Sequence, residues 1–595
     1  MTIRRLALLV SAFTACLTAA AAESVSWQPW SDAAFAQARA ERKYVILDLE
    51  AVWCHWCHVM DATTYRDPAV AALIGRNYVA VRVDQDSRPD LANRYEDYGW
   101  PATVIYAPDG TEIVKRQGYI DPRRMANLLR AVLADPSPVN DGDNPPEAPA
   151  AGPTVLDAGR RAALGRQWLD GYDAKEGGWG FVHKYLDWDT VELAMREGAG
   201  GDAVAAARAR ETLGLERRLL DPVFGGVYQY SAGGNWAEPH FEKIMQMQAE
   251  NLRIYSMAWG QFGDPADRDS ARLIHGYLRN FLTSPEGAFY TSQDADLASG
   301  EPGSSYYALD AAGRRLKGTP RIDTHVYARE NGWAMEALAS FAAATGDDAA
   351  RREAETAARW ILAHRALPGG GFRHDERDPA GPYLADTLAM GRAFLALHQV
   401  TADSAWLRLA TGAADFINAH FGRGAAPGFA TADTTRPSFP APRPEFDENV
   451  SLARFARALL EATGREEYRA MAATALRWLL APGMSEGRGF AVAGLLLAEE
   501  EARTDPLHVA IIGARNDPAA RALFETALRA PTGHKLIEWW DPRTEPAPRG
   551  EDIYPRFPRA AAFACSNGTC SAPIFTPKAL AALLHRAAPF QKPES

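Results

Sequence analysis

The spacing of apolar residues changes character along the chain. Between residues 27 and 133, strand and helix signals alternate. Tyr44–Glu50 (YVILDLE) and Tyr78–Asp84 (YVAVRVD) are apolar runs of strand length, which predicts buried strands. Ser31 can cap a helix running through Lys43, a helix follows Cys54, and another spans Asp67-Pro68 to Arg76. Thr103–Tyr106 and Glu112–Arg116 flank the turn Pro108-Asp109-Gly110 and predict a hairpin. A last helix opens at Asp121-Pro122, with proline in its first turn. The order β-α-β-β-α behind a leading helix predicts a small α/β domain over residues 23–133.

Six prolines between Ala134 and Pro153, with almost no bulky apolar residue, predict a linker over 134–153. Beyond it the period becomes 3.6. Phe241, Ile244, Met245, Leu252, Tyr255 and Trp259 share one helical face, as do Tyr468, Met471, Ala475, Trp478 and Leu479. About a dozen such segments lie between Val155 and Arg503. Paired as six hairpins, they predict an all-α (α/α)6 toroid over 154–503. The absence of a fixed-period consensus counts against an open solenoid. Leu507–Gly513 (LHVAIIG), a helix from Asp517 and His534–Trp540 (HKLIEWW) predict a small α/β appendage over 504–595.

The first 22 residues stand apart. Arg4-Arg5, the apolar stretch Leu6 to Leu17 and Ala20-Ala21-Ala22 form the pattern of a cleaved signal peptide, too short for a membrane span. A secreted or periplasmic protein with no integral membrane segment is expected. With 64 Lys+Arg against 75 Asp+Glu, the net charge of −11 argues against a nucleic-acid partner. Five cysteines in 595 residues cannot make a disulfide scaffold, and Cys16 falls in the signal segment.

Two of the remaining cysteines stand in Trp53-Cys54-His55-Trp56-Cys57-His58, between a strand and a helix. A cysteine at a helix N-terminus meets unpaired N–H groups and the positive end of the dipole, which favour thiolate. Cys57, one turn on, is placed to resolve a mixed disulfide. The arrangement resembles the thioredoxin fold. Asp48, on the strand, matches its buried acid, and Trp100-Pro101 matches its cis-proline loop. His55 would further stabilise the Cys54 thiolate. An inert disulfide in a thioredoxin-like shell is the plain alternative. Cys54-x-x-Cys57-His58 also matches the haem-attachment pattern, but the preceding strand and the later Trp-Pro loop favour thioredoxin. Zinc would require one short segment to supply every ligand. No metal and no cofactor are expected.

Cys565 and Cys570 enclose Ser566-Asn567-Gly568-Thr569, whose Asn-Gly turn would bring them together as a second disulfide, either structural or a relay for Cys54 and Cys57. In the toroid, His240, Glu242, Asp294, Asp296, Arg329, Glu330, Asp386 and Asp447 stand at or before helix starts. Such groups suit acid–base work or sugar binding, and sixteen tryptophans could supply sugar platforms. Asp and Asn also cap helices, and Trp also packs cores. If these segments are helical throughout, His240 and Glu242 point about 200° apart.

Several runs together resemble the spermatogenesis-associated, thioredoxin-domain proteins (bacterial YyaL-type). They include CHWCHVM at 54–60, VRVDQDSRPDL at 81–91, the PHFEK run at 239–243, FYTSQDAD at 289–296, ARENGWAMEAL at 328–338 and ACSNGTCSAP at 564–573. The resemblance implies a thioredoxin-like domain joined to a six-hairpin, glycosidase-like toroid akin to that of sugar 2-epimerases. Two function classes follow. One is a thiol–disulfide oxidoreductase acting on a thiol/disulfide client or reductase, with a toroid that binds a carbohydrate or client. The other is a glycoside hydrolase or sugar epimerase whose thioredoxin-like domain is structural or regulatory.

Overall fold

The computed structural model describes residues 24–95, 99–139, 151–378, 380–530, 534–545, 554–555, 557–566 and 568–587. The expected signal peptide and residues 140–150 of the expected linker lie outside them, as does Asn567 of the C-terminal turn.

The N-terminal domain is thioredoxin-like. Its elements are α1 (Asp32–Glu41), β1 (Tyr44–Glu50), α2 (His55–Thr63), α3 (Pro68–Asn77), β2 (Tyr78–Asp84), α4 (Pro89–Tyr95), β3 (Ala102–Tyr106), β4 (Glu112–Gln117) and α5 (Pro122–Ala134). The sheet order is β2-β1-β3-β4, with β1 parallel to β2 and antiparallel to β3. Alternation along β1 sends Ile46 to the face packed with Met60, Ile74 and Leu129, and Leu47 and Leu49 to the opposite face with Phe35 and Leu91. Asp48 therefore shares the face of Ile46, beneath α2. The sequence reading lacks α4: seven residues behind a proline are too short to establish a helical period, and burial of Leu91 and Tyr95 secures it.

The toroid opens with α6 (Ala158–Asp170), α7 (Trp188–Ala199) and α8 (Ala203–Glu216). A loop carrying β5 (Tyr230–Ser231), β6 (Pro239–His240) and β7 (Lys243–Ile244) leads to α9 (Met245–Phe262) and α10 (Pro265–Phe281). A second loop holds β8 (Ser292–Gln293), α11 (Ser304–Tyr307), α12 (Ala311–Lys317) and β9 (Ile322–Asp323). The helices α13 (Ala328–Thr345), α14 (Asp348–His364), α15 (Leu384–Thr401), α16 (Ser404–His420), α17 (Phe446–Thr463), α18 (Glu466–Leu479) and α19 (Ala493–Arg503) complete it. Helices α7, α9, α13, α15, α17 and α19 form an inner ring that closes where α19 meets α7, each backed by an outer helix. This is an (α/α)6 toroid. Inner helices are buried almost all round, as in Leu384–Leu397 of α15, whereas the outer α10 and α14 are amphipathic.

One helical expectation fails. Phe241 and Ile244 precede α9, and His240 and Glu242 are not on a helix. The segment is extended because β6 pairs with β5 and β7 pairs with β8, so tertiary pairing overrides the local apolar period.

The C-terminal unit contains β10 (Leu507–Ile512), α20 (Pro518–Leu528), β11 (Lys535–Trp540), β12 (Ala561–Ser566), β13 (Thr569–Cys570) and α21 (Pro577–Ala587). Its sheet order is β11-β10-β12-β13, with β10 parallel to β11 and antiparallel to β12. This repeats the strand order and directions of the N-terminal sheet.

The two small units sit on opposite mouths of the toroid. The N-terminal domain covers the starts of the inner helices, and the C-terminal unit covers their ends. Four inner helices have 18 residues, so the mouths are about 27 Å apart. Under the C-terminal unit lies a cavity of about 260 Å³. Its wall carries buried ion pairs such as Arg454 with Glu192 and Glu501 (2.5 and 3.0 Å). Among the described residues, no helix is long and apolar enough to cross a membrane.

Candidate functional site

Strand β1 delivers the chain directly into the first turn of α2, whose N-cap is Cys54. The Cys57 N–H donates to Cys54 Sγ at 3.2 Å, and the two cysteines form a disulfide. Trp100-Pro101 is cis, and Trp100 packs against the cysteines together with the toroid's Ile244. Asp48 lies buried on β1 and accepts from Arg82 Nε at 3.0 Å. Burial lifts its carboxyl to about 6, against the pull of the Arg82 charge. A helix start that favours thiolate and a buried acid on the preceding strand are groups that dithiol–disulfide exchange can use. The pair is closed off: Cys54 and Cys57 are each only 4% exposed.

The cover is the toroid. Asp296 Oδ1 accepts from His55 Nδ1 at 2.8 Å, and Asp296 Oδ2 accepts from His58 Nδ1 at 3.1 Å. The His55 N–H points at Glu242 Oε1 (3.5 Å), and the Ala295 N–H donates to the Trp53 carbonyl at 3.4 Å. Burial would raise Asp296, but the hydrogen bonds from His55 and His58 prevail and bring it down to about 2. At Glu242 burial outweighs the His55 N–H and charge and pushes the carboxyl up to about 7. Burial likewise raises Asp294 to about 6 and lowers His240 to about 4. His240 stacks on Tyr230 at 4.2 Å, one step outside the contact.

A second set of contacts lies deeper. Trp53 Nε1 donates to Asp86 Oδ2 at 2.7 Å. His374 bridges the two bodies, with Nδ1 2.8 Å from Asp386 Oδ1 and Nε2 2.6 Å from the Asp86 carbonyl. Both partners are acceptors, so both ring nitrogens carry protons. Burial opposes that charge, yet the Asp386 carboxylate holds the imidazole up to about 9. Asp386 also accepts from the Arg329 N–H at 2.9 Å, and the Arg329 guanidinium pairs with Glu330 at 2.5 Å and faces Asp86 at 3.8 Å. Asn93 of α4 donates to Glu448 of the toroid at 2.7 Å.

Of the toroid residues singled out from sequence, Glu242, Asp294, Asp296 and Arg329 face the thioredoxin-like domain, Glu330 and Asp386 reach it through Arg329 and His374, and His240 and Asp447 stand outside the contact. Asp447 is exposed in the first turn of α17, and its neighbour Glu448 makes the contact instead. Helical phase decides this, because adjacent residues point 100° apart. Asp86 and His374 were not among the candidates. Asp86 lies within the VRVDQDSRPDL run, whereas His374 has no local signal. His58, Asp294 and Asp296 bring ligand atoms within 4.8 Å of one another, a spacing that could hold a metal ion. Both nitrogens of His58 face acceptors, Asp296 and the Val52 carbonyl (3.1 Å). The ring is therefore a donor on both sides and offers no lone pair. Cys565 and Cys570 form a disulfide between register partners on β12 and β13, at the opposite mouth.

Residues 6–134 match the family model described as "Protein of unknown function, DUF255" (Thioredox_DsbH). Human spermatogenesis-associated protein 20 is 28% identical over 315 residues, covering 46% of this chain and 39% of that protein's own length. Thiol:disulfide interchange protein DsbD 1 of Pseudomonas aeruginosa is 38% identical over 105 residues, 17% of this chain and 18% of that one. The crystal structure of a D-mannose isomerase superposes with a TM-score of 0.44 at 13% identity, covering 58% of this chain and 98% of that one. The resemblance read from the motifs therefore holds: the N-terminal domain matches a thioredoxin-type family model, and the chain aligns with spermatogenesis-associated protein 20.

Proposed function

We propose that this chain is a thiol–disulfide oxidoreductase in which Cys54 attacks and Cys57 resolves. The observation that carries the reading is the Cys54–Cys57 disulfide at the start of α2, packed against Trp100, with Asp48 buried on the preceding strand. Similarity to a thiol:disulfide interchange protein supports it. Asp48 takes and returns the resolving thiol's proton, and the electrons travel on sulfur. The client is a protein or small-molecule disulfide or thiol. At 4% exposure Cys54 meets a protein client only when the domain lifts from the toroid mouth. A secreted or periplasmic location is part of this reading, supported by the signal-like first 22 residues and by a disulfide that such compartments preserve.

A carbohydrate site at this mouth is the weaker reading. Asp296, Asp294 and Glu242 face the histidines of the thioredoxin-like domain, and Glu330 and Asp386 are already paired with Arg329 and His374. The deciding experiment is exchange with a glutathione redox buffer, read on Cys54 by alkylation and peptide mass spectrometry. The wild-type chain should equilibrate and Cys54→Ser should not. A wild-type chain whose Cys54–Cys57 pair ignores the buffer would end the redox reading.

A further inference from the structure

The thiol–disulfide motif and the toroid meet at one carboxylate. Asp296 lies just after β8, and the Gly300 N–H donates to its Oδ2 at 2.9 Å. The Asp296 N–H donates to Asp294 Oδ1 at 2.8 Å, so the loop holds its own shape. The two histidines of Cys54-His55-Trp56-Cys57-His58 both turn to this carboxylate. Asp296 is 2% exposed, and the His55 and His58 side chains are 18% and 17% exposed. One aspartate thus fixes the orientation of both rings flanking the disulfide turn.

We propose that the toroid completes the thiol–disulfide site, with Asp296 as a positioning residue that holds His55 and His58 against the Cys54–Cys57 turn and thereby sets how readily the Cys54 thiolate forms. The proposal rests on the redox reading above and extends it to a residue outside the thioredoxin-like domain. His55 adjoins Cys54 in the chain, so an imidazolium there adds a positive charge beside the reactive turn and favours thiolate. The hydrogen bond that His55 donates to Asp296 holds its imidazole above its ordinary range. Glu242 at the His55 N–H and Asp294 at 3.7 Å from His58 are the other acids facing these rings. In exchange, the Cys54 thiolate attacks oxidised glutathione and displaces one glutathione thiolate. Cys57 then attacks Cys54 Sγ and releases the second. Two protein thiols are oxidised, one glutathione disulfide is reduced, and the two protons pass to the departing thiolates.

The test uses the full chain as wild type, Asp296→Asn, Asp296→Glu, His55→Gln and the Asp296→Asn/His55→Gln double variant. Each is equilibrated with reduced and oxidised glutathione, and the pH midpoint of Cys54 alkylation is measured. Asp296→Asn should shift the equilibrium about tenfold toward the disulfide, about 30 mV, and raise the alkylation midpoint by about one pH unit. Asp296→Glu should recover most of both shifts. The double variant should change by less than the sum of the singles, because Asp296 acts through His55. If Asp296→Asn melts earlier but keeps the wild-type potential and midpoint, Asp296 is only a domain contact and the proposal falls. If Asp296→Asn does not fold, His55→Gln decides, and an unchanged potential there overturns the proposal. If wild type itself fails to exchange, the redox reading fails first, a result distinct from either.

Discussion

Strands β1–β4 and β10–β13 have the same order and the same directions, yet the two units differ where the first strand hands over to its helix. In the N-terminal domain the N-cap of α2 is Cys54, whose sulfur accepts from the Cys57 N–H. In the C-terminal unit the N-cap of α20 is Asp517, whose carboxylate accepts from the Ala519 N–H at 2.8 Å. Both satisfy the open N–H groups of a helix start, and only the first can exchange a disulfide. The second unit carries its cysteines on the β12–β13 hairpin instead, with Cys570 exposed. The expected reactive pair is sealed and the expected structural pair faces solvent. A shared topology supplies a helix start, and the residue placed there decides the chemistry.

The contrast can be pressed at several points. His374 and Asp386 anchor the N-terminal domain to its mouth as a buried ion pair. Asp386→Ala leaves a buried imidazolium unpaired and should cost about 3–5 kcal/mol. Denaturant unfolding should show the loss. A variant within about 0.5 kcal/mol of wild type, inside the range of ordinary surface substitutions, would mean that this anchor is not what holds the domain.

Two buried histidines, His374 at one mouth and His534 at the other, should respond to pH with opposite signs. His374 is raised from 6.5 to about 9, so its contribution is complete below 6.5 and disappears as pH rises through 9. That is roughly 3 kcal/mol. Asp86 and Glu242, both raised to about 7, act in the same direction: what they contribute below their ordinary range is lost as pH rises through 7. At the other mouth, burial lowers His534 to about 4, so its contribution is complete above 6.5 and lost as pH falls through 4. Hydrogen exchange, corrected for the intrinsic pH effect, should show residues 51–60 loosening from pH 6 to pH 9. Residues 534–541 should loosen from pH 6.5 to pH 4. Parallel behaviour of the two segments would contradict the assignment.

The smallest effects concern the hairpin. Closing so short a loop, Cys565–Cys570 should contribute about 2 kcal/mol, confined to the C-terminal unit. Cys570→Ser should therefore lower its unfolding midpoint and leave Cys54 exchange within about twofold. A soluble phosphine acting on the native chain should reduce this exposed pair about tenfold faster than the sealed one. Equal rates would show that the N-terminal domain lifts from the toroid readily.

Much of this was legible in the sequence because the signals were local. YVILDLE and YVAVRVD match β1 and β2 end to end, and Ser31 and Asp121 cap the helices expected of them. Strand and helix periods report burial one element at a time. The extended run at Pro239–Ile244 escaped, because its partners are Tyr230, Ser231, Ser292 and Gln293, up to about fifty residues away in the chain. The repeat of the N-terminal topology at the C-terminus escaped too, since β10 and β12 are joined across dozens of intervening residues.

By itself the sequence determined which residues could do chemistry: a cysteine pair at a helix start, a buried acid on the preceding strand, and histidines and carboxylates at helix starts in the toroid. Period, capping and turn chemistry suffice for that, because each acts within a few residues. Only the tertiary structure decided where those groups meet. Asp296 lies 241 residues from His55, and His374 lies 288 from Asp86. Closing the ring of inner helices and seating the thioredoxin-like domain on its mouth bring them within hydrogen-bonding distance. No local pattern encodes such a contact, since its partners lie far apart in the chain and meet only through the packing of the domain on the toroid.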